Sequence, residues 1–69
     1  MFTQEFEGTV INFKEGFFDD ELLMEIQSHS SKNIFTASVC KYSQSVEVGD
    51  IVKFHIDRFA ATNVSPVKN

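Results

Sequence analysis

Residues 50–57, DIVKFHID, set Val52, Phe54 and Ile56 on one side of an extended chain and Ile51, Lys53 and His55 on the other. Side chains of a strand alternate between faces, so a period of two buries one apolar row. A helix, with its period of 3.6, would scatter the same residues around its circumference. β-Branched and aromatic residues extend this reading along the chain. Residues 6–14 carry Thr9, Val10, Ile11 and Phe13, residues 22–27 alternate Leu22, Met24 and Ile26, and 34–39 and 60–64 supply two further β-forming runs. The segment ELLMEI, 21–26, consists of good helix formers, but its alternation and its strand-like neighbours predict a strand. Turn chemistry separates the runs: SHSSKN at 28–33 reads as a hairpin turn, Val48-Gly49-Asp50 as the entry to the fourth strand, and Pro66 as the stop of the fifth. Residues 41–48 form a longer link with room for one short turn of helix.

Five short strands with a long link between the third and fourth predict an all-β chain, a small five-stranded antiparallel barrel of the OB type, as one domain over 1–69. Closure removes exposed sheet edges, which a phenylalanine-rich sheet needs in order to stay soluble. A chain of 69 residues buries little more than half of its unfolded surface, so the core is small. Val10, Val52, Phe54, Ile56 and Val64 are its expected members. Eight phenylalanines exceed what such a core holds, and several are therefore expected at the surface.

Ten acidic and six basic side chains leave a net charge of −4. That argues against tight, sequence-blind binding to duplex phosphates, which uses a basic patch. It leaves open single-strand binding, in which aromatic faces supply much of the free energy. The single cysteine, Cys40, excludes an internal disulfide, reads as a small buried side chain and makes a reducing cytoplasm the expected compartment. The start MFTQEFEG lacks the basic and apolar regions of a signal peptide, and no apolar run reaches membrane-spanning length. His29 and His55 are not spaced as metal ligands. Asp19-Asp20-Glu21 lacks the ligand alternation and turn glycine of a calcium loop and reads as a solvated connection. With no nucleophile–base constellation, phosphate-binding glycine loop or paired carboxylates in a cleft, neither an enzyme nor a cofactor is expected.

The order of short motifs carries a resemblance. Gly8-Thr9-Val10 followed by Phe13, then Gly16-Phe17-Phe18, Ile34-Phe35, Gly49-Asp50-Ile51-Val52-Lys53-Phe54 and Ala61-Thr62-Asn63-Val64 together resemble a cold-shock domain, an OB-fold family, over nearly the whole chain. The framework positions match better than the binding positions. Asn12 stands in the place of a tryptophan, the first RNA-binding motif lacks its inner glycine and second spaced aromatic, and Ala37 and Ser38 replace a histidine and a phenylalanine in the second. The chain is also similar to Mop/TOBE domains through GTVINFKEG, ELLMEI, IFTASV, VGDIVKFHI and ATNV, without that family's oxyanion-binding segment. It shares the opening EGTV with bacterial initiation factor one, a more basic family. All three resemblances imply an OB-type barrel.

Candidate binding residues follow from the surplus rings and from the places the cold-shock resemblance implies. They are Phe13, Phe17, Phe18, Phe35 and Phe59 as stacking surfaces, Lys14 and Lys53 as phosphate contacts, and His55 as a further stacking ring on the outer face. Each has a plainer reading: core for the rings, solubility for the lysines. Phe17 and Phe18 cannot both point inward on a strand, so one of them is expected outside. Phe13, Phe35 and that one are expected to form an exposed patch flanked by Lys14 and Lys53. Tyr42 either caps a base or shields the barrel end. The resulting expectation is a protein that binds single-stranded RNA or DNA weakly, as a cold-shock-like chaperone or regulator of gene expression. The alternatives are a protein-interaction module that has lost its nucleic-acid face, favoured by the acidic charge, and a TOBE-type binder of small oxyanions.

Overall fold

The computed structural model describes residues 4–67. Five strands follow one another as β1 (Phe6–Glu15), β2 (Glu21–Ser28), β3 (Ile34–Cys40), β4 (Ile51–Asp57) and β5 (Ala60–Pro66). They close into a barrel in the order β1-β2-β3-β5-β4. Strand β1 makes closure possible because it serves two neighbours. Its first part, Phe6 to Thr9, pairs with Phe54 to Ile51 of β4, and the stretch from Gly8 to Glu15 pairs with Ser28 to Leu22 of β2. Gly8 sits where the two pairings overlap. A Cβ there would lie 2.5 Å from the Gln27 carbonyl oxygen and 2.8 Å from Ile26 Cγ2, so the crossing requires a residue without a side chain. The seams β1–β2, β2–β3, β4–β5 and β1–β4 are antiparallel. The closing seam is a parallel contact of β3 with β5 at Thr36 and Ala60, which the fully antiparallel expectation did not include. This strand order defines the OB-fold barrel.

The expected strand ends lie within one or two residues of those observed. Pro66 is the exception in kind: it is the last residue of β5, opposite Val52, rather than a stop before the strand's end. A terminal strand position tolerates its missing N–H. The link after β3 makes one turn, in which the Gln44 amide donates to the Cys40 carbonyl at 3.2 Å, and no helix follows. It then drops Val46 into the barrel as a buried plug, its amide held at 2.9 Å by Gln44 Oε1. Among the described residues no helix is long and apolar enough to cross a membrane.

The core consists of Val10, Met24, Ile26, Ala37, Val46, Val52, Phe54 and Ala61. Phe54 is its centre: fully buried, with the ring of Phe6 stacked at 6.1 Å and that of Phe35 tilted at 5.9 Å. Val10 and Val52 are buried as expected, whereas Ile56 and Val64 are half-buried against the cluster. Cys40 is exposed and corrects the expectation of a buried thiol. Ala37 and Val39 of β3 face the barrel interior, so alternation turns Cys40, the last residue of the strand, outward opposite Glu21.

One irregularity decides which side of β1 meets the core. Val10 pairs with Ile26, but the next matched pair is Asn12 with Glu25, leaving Ile11 as an extra residue in β1. Such a bulge resets the alternation. Without it Phe13 would share a face with Ile11; with it, Phe13 lies opposite Met24 on the inner side.

Candidate binding rim

The eight candidate residues separate into two groups. Phe13 and Phe35 do not form the expected exposed patch: both are half-buried and packed against the core, Phe13 because of the bulge and Phe35 because it lies opposite Ile26 on the inner side of β3. Lys14 and Lys53 do lie outside, but each faces a carboxylate. Lys14 Nζ is 3.4 Å from Glu25 Oε2 and Lys53 Nζ is 3.8 Å from Glu5 Oε1. The ring of His55 is partly covered, with Nδ1 3.2 Å from the Gln4 carbonyl oxygen. Phe17, Phe18 and Phe59, in contrast, are 98, 71 and 91% exposed.

Phe17 and Phe18 both face solvent, where one was expected inside. The reason is that residues 16–20 form the β1–β2 turn, where strand alternation does not apply. Main-chain bonds close this turn: the Gly16 amide donates to the Glu21 carbonyl and the Glu21 amide to the Phe18 carbonyl, each at 3.1 Å. The Glu21 side chain folds back over it. Its Oε1 accepts the Phe17 amide at 2.7 Å and its Oε2 accepts the Ser38 hydroxyl. Gly16 makes room for this clasp, since a Cβ there would collide with the Glu21 side chain. The Ser38 hydroxyl first, then the Phe17 amide, hold the Glu21 carboxyl below its ordinary pKa, against a smaller opposing effect of desolvation. The Lys41 amide donates to the Asp20 carbonyl at 2.7 Å and ties the turn to the start of the β3–β4 link, where Tyr42 is exposed. Beside the turn lies a shallow hollow of about 400 Å³ lined by Glu15, Gly16, Phe17 and Leu23.

The β4–β5 connection is as tight. Asp57 pairs with Ala60, leaving Arg58 and Phe59 as a two-residue loop. Arg58 has φ 60°, the left-handed region demanded at the first position of a hairpin turn of this kind and usually filled by glycine. An exposed guanidinium and an exposed ring are thereby placed side by side.

Across its two central rows the outer sheet face of β1–β3 carries Leu23 and polar side chains in place of stacking rings. Asn12, Glu25 and Thr36 form one row, and Lys14, Leu23 and Ser38 the next. Glu25 is the hub of the first, accepting from Asn12 Nδ2 at 3.1 Å while pairing with Lys14. Away from this face, the His29 ring bridges Thr9 Oγ1 at 2.7 Å and Glu7 Oε1 at 3.4 Å, which pins the β2–β3 turn to β1. The exposed Cys40 thiol is held below its ordinary pKa, chiefly by the Ser43 hydroxyl and next by the Tyr42 amide. Among the described residues no group of three or more His, Cys, Asp or Glu is arranged to hold a metal ion.

Sequence reasoning identified the exposed rings of the two loops but missed Glu15, Glu21 and Leu23. Glu21 was absorbed into the acidic run 19–21, and the partner that gives it its role, Ser38, lies on another strand. The fold and these loops define a small OB-type barrel with an aromatic rim. No protein-family model, curated protein or solved structure matches the chain.

Proposed function

We propose that this barrel is a non-catalytic protein-interaction module that binds through the phenylalanines of its two loops. The observation that carries the reading is the pairing of bare rings with a carboxylate-bearing face. Phe17 and Phe18 on the β1–β2 turn and Phe59 on the β4–β5 turn project from the loops that flank the ligand face of an OB-fold. The sheet beside them presents Glu21 and Glu25, which disfavour a phosphate chain. Burying one such ring in a partner contributes about 1.5–3 kcal/mol before the cost of association is subtracted. p-Benzoylphenylalanine introduced at Phe18 or Phe59 and photoactivated in the host should give cross-linked products that protease removes and nuclease leaves intact. Nuclease-sensitive products at both positions would overturn the reading.

A second reading, weak binding of single-stranded RNA or DNA, is supported by the adjacency of Arg58 and Phe59. Arg58 is in no ion pair among the described residues and adjoins an exposed stacking surface. Base stacking on Phe59 would be worth about 1–3 kcal/mol. Titration with labelled oligo-dT and oligo-U at low salt, repeated with Phe59→Ala and Arg58→Gln, tests it; a folded parent that binds neither oligonucleotide removes it.

A further inference from the structure

We infer that the free edge of β1, from Asn12 to Glu15, takes up an extended segment of a protein partner as an added antiparallel strand; this rests on the protein-interaction reading and names the chemistry of the partner. The β1–β4 seam ends early. Its pairs run from Phe6 to Thr9, after which the Val10 amide donates to the Asp50 carbonyl and the Val10 carbonyl accepts from the Gly49 amide. The chain ahead of β4 then turns away, with the Asp50 amide donating to the Glu47 carbonyl, and from Asn12 onward β1 pairs with β2 alone. The Gly16 amide donates to the Glu21 carbonyl and so points toward β2. Main-chain groups alternate sides along an antiparallel ladder, so those of Asn12 and Lys14 also bond β2, while those of Phe13 and Glu15 point away from it. Among the described residues no other main chain bonds them on that side. Asn12, Lys14 and Glu15 are exposed, so the edge is open to solvent.

In strand addition the main chain supplies affinity and alternate side chains supply specificity. Residues directly opposite in an antiparallel pair share a face. Phe13 is half-buried on the inner side and suits an apolar partner residue. Glu15 shares that face by alternation, is exposed and enters no ion pair among the described residues, so it suits a lysine or arginine. Lys14, between them, is already drawn toward Glu25 and suits an uncharged polar residue. Read from its N-terminus, the added segment is therefore basic, polar, apolar. Exposed Asp19 and Asp20 and the net charge of −4 attract such a segment at long range. A second copy of the chain fits poorly: the antiparallel register that joins Phe13 of each copy to Glu15 of the other sets Lys14 against Lys14.

The test is a titration of the isotope-labelled chain with the capped peptide Ser-Arg-Thr-Val-Thr, up to about 10 mM, where a millimolar site is mostly filled. The amide resonances of Phe13 and Glu15 should shift saturably, and their hydrogen exchange should slow. N-methylation separates strand addition from other modes of binding. On the backbone nitrogen of Arg or Val, which faces β1, a methyl group should weaken binding about tenfold or more. On the Thr between them, whose N–H faces away, it should not. Glu15→Lys should weaken the Arg peptide roughly two- to fivefold and prefer the counterpart with Glu in place of Arg. Spectra of the variant verify that the barrel is intact. Equal losses from N-methylation at the three positions, no preference of Glu15→Lys for the Glu peptide, or no shift with any peptide would overturn the inference. Protection of the Phe13 and Glu15 amides that grows with the concentration of the chain alone would assign the edge to a second copy and overturn it as well. A null titration alongside protein cross-links from Phe59 would remove strand addition alone, whereas nuclease-sensitive cross-links at Phe18 and Phe59 would remove the interaction reading itself.

Discussion

Replacing Phe13 and Phe17 separately with alanine discriminates between an aromatic patch on the sheet and an aromatic rim on the loops. The two rings lie four positions apart, yet the Ile11 bulge turns Phe13 inward against Met24, while Phe17 sits 98% exposed on a turn. Removing a fully buried phenylalanine side chain costs about 3–5 kcal/mol. Phe13 is half-buried against the core, so roughly half of that, about 1.5–2.5 kcal/mol, is expected. At about 0.05–0.15 kcal/mol per residue, a chain of 69 residues has about 3–10 kcal/mol in all, so the loss is a large fraction of it. For a domain of this size each 1 kcal/mol moves Tm by roughly 4–8 °C, which gives a drop of roughly 6–20 °C for Phe13→Ala. Phe17→Ala removes almost no packing and should stay within about 0.5 kcal/mol of the parent. Thermal melts followed by far-ultraviolet dichroism, with urea titrations for the midpoint and slope, measure both. A Phe13→Ala variant that melts with the parent would refute the inward placement of that ring and with it the bulge that causes it.

Phe54→Ala should unfold the chain outright: the ring is fully buried between Phe6 and Phe35, and a loss of about 3–5 kcal/mol matches much of the total stability; a cooperative melt near the parent's would be inconsistent with this core. Arg58→Gly should raise stability by several tenths to about 1 kcal/mol, because glycine adopts the positive φ without the side-chain penalty; chemical denaturation would show the reverse if that φ were wrong. Glu21 is held ionised by Ser38 and the Phe17 amide, so its folded pKa lies below its unfolded value. The clasp is therefore fully present above the ordinary 4.5 and is lost as pH falls through the depressed folded value. An acid titration of the Phe17 amide resonance should show this midpoint in the parent and lack it in Glu21→Gln; a midpoint above 4.5 would contradict the assigned sign.

The strands were legible because each is a local pattern. Val52 and Phe54 alternate with solvent-facing neighbours, Leu22, Met24 and Ile26 do the same, and the turn at 28–33 announces itself by composition. Five such segments with one long link leave a barrel as the arrangement that covers every edge, and the OB-type barrel is what forms. Glu15, Gly16, Phe17 and Leu23 are likewise ordinary letters along the chain, but the hollow they line is a property of the folded turn.

What the linear order of residues determined, then, was element type, the central burial of Val10, Val52 and Phe54, and the surplus of rings that had to reach the surface. Which rings those were depended on tertiary structure. Phe13 is inside because one unpaired residue, Ile11, shifts a register set by β2, and no local propensity encodes where a partner strand will skip a residue. Phe35 is inside because Phe54, nineteen positions away, comes to lie beneath it. Lys14 and Lys53 are paired because Glu25 and Glu5 arrive across the sheet and from the chain's start. Phe17 and Phe18 are bare on a turn that Glu21 ties to Ser38 of β3, a partner seventeen positions away. Alternation is a property of neighbours along the chain; the face of the barrel that a side chain meets is a property of neighbours across it.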